Sequence, residues 1–287
     1  MIRLGLDTLC YHMRLEAREI SVEKVLTEAA SLGCECVQLP LHHVRDRTVT
    51  ELEALRGDAQ SLGLTLLASG NELGRAREGD DRTVVEERMM PWLERTVALG
   101  SSTLRVVSGF YRADLAEHPG LIELERRFVI DALDALSPLA LRSGVTLLLE
   151  NHSDFSAQEY VSIIEAVGAE RVGVFLDLIN PIAAFENPQP VVSLLAPYAR
   201  AGHVKDYRLR SEFIDDGYHR RGFDVRYCYP GEGAADLPSL VATLRDGVDP
   251  DRDYWLTIEG LDSQVGRADQ EPRIRASLEL LRGLLAR

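Results

Sequence analysis

The chain has 287 residues, 45% of them hydrophobic and 27% charged, proportions that suit a globular protein with a sizeable core rather than a disordered one. Its 46 acidic side chains against 32 basic ones leave a formal net charge of −14, which speaks against a protein that grips phosphate backbones, so nucleic acid is not an expected partner. No apolar run is long enough to span a bilayer, and the opening MIRLGLDTLCYHM lacks the pattern of a secretory leader, so a cytoplasmic protein without membrane contact is expected.

Along the chain, strand-like apolar runs alternate with amphipathic helical ones. Residues 2–6 read as a first strand, and the helical pattern over 22–32 follows Ser21, a good N-cap, and stops at Gly33. A strand at 34–39 precedes a helix over 49–62 that stops at Gly63, and a strand at 64–69 precedes a helix over 84–99 that stops at Gly100. A glycine in that place suits the left-handed conformation that closes many helices. Strands at 103–107, 146–152, 172–178, 201–207 and 254–260 complete eight, and helices over 122–141, 157–167, 191–198, 237–244 and 271–285 complete the other eight. This alternation is that of a parallel sheet with crossover helices. A doubly wound open sheet shares it but rarely supplies eight units, so the expectation is an α/β fold, a (β/α)8 TIM barrel forming one domain over 1–287. Cys34 and Cys36 have no second pair to complete a zinc site and, with Cys10 and Cys228, read as ordinary thiols.

The connection over 208–236 breaks the rhythm. It has no helical periodicity and is rich in aromatics and arginines, among them Arg220, Arg221, Arg226 and Tyr227. Long structureless loops in compact domains are usually functional, and this one follows strand seven on the face where barrels keep their sites. It is expected to be an active-site lid, with Arg221 and Arg226 binding a carboxylate or phosphate of the substrate.

Four apolar runs, TLLLENH, VGVFLDL, AGHVKDY and YWLTIEG, stop at Glu150, Asp177, His203 and Glu259. Burying such carboxylates unpaired would cost several kcal/mol or more each, and one divalent cation held at the C-terminal ends of consecutive strands compensates them all. The set is hard and oxygen-rich, which suits Mn²⁺, with Mg²⁺, Co²⁺ or Zn²⁺ as alternatives. Two coordination positions would remain for a keto sugar or sugar acid, whose carbonyl the cation polarises, with a glutamate at hand to take the neighbouring proton.

The motifs LLLENH, FLDLIN, HVKDY and TIEG, assisted by PGEG at 230–233, make the chain similar over essentially its whole length to the xylose isomerase-like (β/α)8 superfamily of sugar phosphate isomerases and epimerases. The resemblance implies that Glu150, Asp177, His203 and Glu259 bind the metal and that Glu150 and Glu259 also move protons on opposite faces of a keto sugar. Ketose 3-epimerases of the group carry Glu-x5-Glu after strand five and Asp-x-x-His after strand six. This chain has Ser156 and Asn180 at those offsets, a departure from a free-ketose epimerase that leaves Asn180 as a substrate-binding candidate. Endonuclease IV, another relative, needs additional histidines, and Asn180 together with the charge of −14 argues against DNA repair.

His152 stands two residues beyond Glu150, so on an extended strand both would face the cavity. Its setting resembles the catalytic base of metal-dependent lyases of this fold that act on 3-oxo sugars. Lys205, in the family motif with Asp206, is read as steadying an oxyanion or pairing with a ligand carboxylate, and His12, after strand one, as lining the sugar site. The implied function is a metal-dependent isomerase or epimerase that abstracts a proton next to the carbonyl of a chelated keto sugar or sugar acid. The alternative is a lyase of the same fold, a decarboxylase or C-glycoside deglycosidase. A non-catalytic sugar-binding barrel has no need of two acids flanking one metal. The expected partner is a small carbohydrate or sugar acid, and a homo-oligomer is compatible with the sequence.

Overall fold

A computed structural model describes residues 1–212, 222–262 and 265–287. Eight parallel strands close into a barrel: β1 (Ile2–Asp7), β2 (Cys36–Pro40), β3 (Thr65–Glu72), β4 (Thr103–Val107), β5 (Thr146–Glu150), β6 (Val172–Asp177), β7 (Ala199–Val204) and, after the two-stranded sheet of β8 (Asp206–Glu212) and β9 (Gly222–Cys228), β10 (Tyr254–Ile258). They follow one another in chain order round the ring, with β10 closing between β7 and β1. The helices outside are α1 (His12–Glu16), α2 (Val22–Ser31), α3 (Val49–Ser61), α4 (Arg82–Ala98), α5 (Pro119–Arg142), α6 (Ala157–Val167), α7 (Pro188–Leu195), α8 (Leu237–Gly247) and α9 (Gln270–Leu285).

Local chemistry sets these boundaries. The Ser21 side chain accepts from the Lys24 amide at the start of α2, and Thr48 with Glu51 forms a reciprocal cap on α3. Gly33, Gly63 and Gly100 take φ of 70°, 72° and 68° behind α2, α3 and α4, the conformation in which a β-carbon is penalised. The α5 pattern, expected over 122–141, extends to Pro119 because proline at the first turn forfeits no helical hydrogen bond.

The expected long structureless connection after strand seven is corrected. An antiparallel hairpin occupies much of it, with Tyr207 opposite Tyr227 and Arg208 opposite Arg226. Charged and aromatic side chains at successive positions hid a period of two from the sequence reading. The hairpin's root is fixed by Asp206, whose carboxylate accepts from the amides of Gly231, Gly233 and Ala235 at 2.9–3.1 Å. That explains PGEG: a side chain at Gly233 would collide with this carboxylate and with the Tyr207 carbonyl.

Inside the barrel, alternation along each strand stacks two layers. The lower is apolar, with Leu148, Phe175 and Ala201 buried and Trp255 packed against them. Two residues further along the same strands stand Glu150, Asp177, His203 and Thr257, and the equivalent position on β1 to β4 is taken by Asp7, Gln38, Ser69 and Arg105. The mouth of the barrel is therefore a ring of polar side chains over an apolar floor.

Candidate metal centre and active site

Glu150 ends β5, Asp177 ends β6, His203 lies on β7, and Glu259 immediately follows β10. All four are buried. His203 Nδ1 lies 3.6 Å from Glu150 Oε1, 3.7 Å from Asp177 Oδ2 and 3.6 Å from Glu259 Oε1, and it has no hydrogen-bond partner among the described residues. A bare imidazole nitrogen aimed among three carboxylate oxygens is the donor set and the crowding that a divalent cation relieves, so the residues present fit such an ion. The other ring nitrogen, Nε2, faces Gln38 Oε1 at 2.9 Å and Asp7 Oδ2 at 3.3 Å, while Phe175 packs edge-on to the ring.

Two cations join the acids. The Arg105 guanidinium pairs with Glu150 Oε2 and donates to Ser69 Oγ at 2.9 Å. Lys205 Nζ pairs with Glu259 Oε2 and lies 2.8 Å from Asp177 Oδ2, beneath the Tyr227 ring at 4.3 Å from its centroid. Each glutamate thus turns Oε1 toward His203 and gives Oε2 to a cation. Burial opposes ionising Glu150, but Arg105 and His203 outweigh it and hold its carboxyl well below the usual range. Asp177 is likewise lowered, burial being outweighed by Lys205 above all. Burial also opposes charging His203, yet the acids around it, Glu259 foremost, keep its pKa well above the ordinary imidazole value.

The stretch after β5 is held by more than its strand. The Asn151 side chain accepts from the Asp177 amide at 2.7 Å and donates to the Asp177 carbonyl at 2.8 Å, tying two prospective ligands together. The Tyr160 hydroxyl donates to the Glu150 carbonyl at 2.7 Å and accepts from the His152 amide at 3.2 Å, and it also pairs with Asp154. Buried Ser153 takes φ of 63°, a conformation seldom adopted outside glycine, so the chain turns sharply directly after His152.

The strand stops at Glu150, so His152 is placed by this turn and not by strand alternation. Its half-buried ring lies 5.5 Å from that of Tyr111. Asn180 donates from Nδ2 to Glu150 Oε1 at 3.2 Å, and its amide caps Asp177 Oδ1. Ser156, the other departure from the epimerase pattern, caps α6 in a reciprocal box with Glu159. His12, half-buried in α1, spends Nδ1 on the Leu9 carbonyl at 2.8 Å. Arg226, on β9, pairs with Asp224 at 2.7 Å, and Arg221 lies outside the described residues. The structure thus brings together Glu150, Asp177, His203, Glu259, Lys205 and Asn180. Asp7, Gln38, Arg105 and Asn151 join them although the sequence reading assigned them no role; the Asn of the LLLENH motif and the lone arginine within TLRVV were the available signals.

The model of the xylose isomerase-like TIM barrel family matches residues 26–284, and the chain belongs to that family. Among curated proteins it is 24% identical over 246 residues to a 3-oxo-isoapionate decarboxylase of Pectobacterium atrosepticum, the match covering 84% of this chain and 80% of the relative. Among solved structures, D-psicose 3-epimerase superposes with a TM-score of 0.74 at 16% identity, covering 99% of this chain and 100% of the other. The IolI protein with a bound zinc atom gives a TM-score of 0.71 at 17% identity, covering 99% and 98%. At these identities the two structures speak for the fold alone.

Proposed function

We propose that the protein is a divalent-metal-dependent enzyme acting on a keto sugar or sugar acid by way of an enolate next to the substrate carbonyl. The observation that carries this reading is the bare Nδ1 of His203 among the oxygens of Glu150, Asp177 and Glu259 at 3.6–3.7 Å. Those four residues would hold the ion, with Mn²⁺ the first choice and Mg²⁺, Co²⁺ or Zn²⁺ as alternatives. When bound, it supplies Lewis acidity at a carbonyl oxygen. Arg105 keeps Glu150 ionised and Asn180 orients it, while Lys205 keeps Asp177 ionised and pairs with Glu259. The hairpin contributes Tyr227 as a cover over Lys205.

The fate of the enolate follows from which group can exchange a proton. In an isomerase or epimerase, Glu150 and Glu259 would take and return it in turn. Here Arg105 holds the Glu150 carboxyl well below its usual range, which makes it a poor base, and Glu259 has one oxygen committed to Lys205. Decarboxylation needs no such base: the bond between the α-carbon and the carboxylate carbon breaks, its electron pair passes into the enolate, CO2 leaves, and one acid returns a proton to carbon. His152 is assigned that acid. The decarboxylase that matches most of the chain supports this outcome. Isomerisation or epimerisation remains the second reading, favoured by the two glutamates each holding Oε1 3.6 Å from His203 Nδ1.

Mass spectrometry of products formed in D2O from 3-oxo sugar acids and keto sugars, with Mn²⁺ and with chelator, decides between them. Metal-dependent loss of CO2 with one deuterium gained is the expected result. Deuterium gained without loss of carbon selects the isomerase or epimerase, and turnover unaffected by chelator removes the metal reading altogether.

A further inference from the structure

The ligand histidine has a second nitrogen, and its surroundings are as ordered as those of the first. Asp7 and Gln38 are register partners on β1 and β2, both fully buried, and both point across the barrel at the Nε2 of His203. Each is itself pinned. Asp7 Oδ1 accepts from the Leu9 amide at 2.7 Å, which aims Oδ2 at the ring; Oδ2 has no hydrogen bond of its own among the described residues. Gln38 Oε1 accepts from the Thr257 hydroxyl at 3.0 Å as well as facing Nε2. A carboxylate and an amide buried at the centre of a barrel would be destabilising without such partners.

We propose that Asp7 and Gln38 are positioning residues for the cation: together they hold the proton of His203 on Nε2, fix the ring, and leave Nδ1 as the metal donor. The inference rests on the proposed metal centre. An imidazole N–H given to a carboxylate or carbonyl oxygen fixes the tautomer and makes the opposite nitrogen a better ligand, and loss of such partners typically lowers metal affinity about 10- to 100-fold. Gln38 Oε1 takes the hydrogen bond at 2.9 Å and Asp7 Oδ2 sets its charge beside the same nitrogen at 3.3 Å, so each single loss leaves the other in place. The first two strands would then set how tightly the ion is held.

The test is titration of the metal-free protein with Mn²⁺ alone, and with Co²⁺ followed by visible absorption, for the wild type, Asp7→Asn, Gln38→Met and the double variant, each with its melting temperature. About tenfold weaker binding in each single variant, about 100-fold in the double, and a changed Co²⁺ spectrum are expected from protein that is still folded. Affinities and spectra within twofold of the wild type, with or without a lower melting temperature, reduce both residues to a structural role and overturn the inference. If Asp7→Asn does not fold, Gln38→Met decides by the same criteria. A wild type that binds no stoichiometric Mn²⁺ or Co²⁺, or binds them equally well after His203→Ala, refutes the metal centre itself, a result distinguishable from failure of the two variants alone.

Discussion

The two halves of the barrel mouth do different work with the same strand geometry. On β5, β6 and β7 and just after β10, the inward side chains at the rim are Glu150, Asp177, His203 and Glu259, with an oxygen of each acid 3.6–3.7 Å from His203 Nδ1. On β1 to β4 the equivalent positions hold Asp7, Gln38, Ser69 and Arg105, which reach the ligands and stop there: Asp7 and Gln38 at His203, Arg105 at Glu150, Ser69 at Arg105. One half gathers the acids around His203, and the other, together with Lys205 and Asn180, neutralises or orients them.

The largest effect that would break this division is loss of a ligand. Asp177→Ala and His203→Ala should each abolish stoichiometric metal by elemental analysis after dialysis while the circular dichroism of the barrel persists, since the apolar layers below do not depend on the ion. Occupancy equal to the wild type in both would remove the ligand half as described. Next comes His152→Gln, expected to retain metal and substrate binding but lose roughly 10²-fold or more in kcat. Near wild-type turnover there would pass the proton-transfer role to Glu150 or Glu259 and restore the two-glutamate scheme.

A third experiment tests the supporting half. Arg105→Met leaves Glu150 buried without its cation, a change that typically destabilises by about 3–5 kcal/mol. The loss should be large in chelator and much smaller with saturating Mn²⁺, because the ion then compensates the same carboxylate. An equal loss under both conditions would mean that Arg105 and the metal do not share Glu150. Smaller still is Arg226→Ala on the hairpin, whose ion pair with Asp224 is half-exposed. Stability should change by no more than about 0.5 kcal/mol, so a raised KM would report substrate contact alone. An unchanged KM leaves β9 with Tyr227 as its contribution to the site.

The gathering of Glu150, Asp177, His203 and Glu259 was legible in the sequence for a physical reason: an acid or histidine that ends an apolar run has to be compensated, and four such runs leave few ways to do so. The barrel was legible because glycine stops, N-caps and alternating runs all agreed, as at Ser21 and Gly33. The supporting half was not. Gln38 within CVQLP and Arg105 within TLRVV are single polar residues in short strands, and only closure of the barrel shows that they face the same interior as His203. His152 was expected to follow strand alternation, but β5 ends at Glu150, and the turn at Ser153 with the Tyr160 hydroxyl places it instead. The hairpin escaped because its strands carry charge and aromatic rings on successive residues, so the signal of period two never rose above the composition.

Two histidines, one from each half, extend the comparison to pH. His203 is held well above the ordinary imidazole value by its acids, whereas His43, just after β2, is pushed down to about 4, by burial first and then by His42 and His12. His43 Nδ1 lies 2.8 Å from Thr8 Oγ1, and the fold accommodates the neutral ring. A group with a depressed folded pKa binds fewer protons folded than unfolded between the two values. Its contribution is therefore complete above the unfolded value of about 6.5 and is lost as pH falls through about 4. The ring is only partly buried, so solvent reduces the expected effect to roughly 1–2 kcal/mol. Denaturant unfolding of the wild type and His43→Gln, in chelator at pH 7 and pH 4.5, measures it together with its coupling to His42 and His12, because titrating groups that do not interact with His43 cancel in the difference. The wild type should lose more stability than the variant on acidification. A difference that does not change with pH would show that the neutral state of His43 adds nothing to the first half of the barrel.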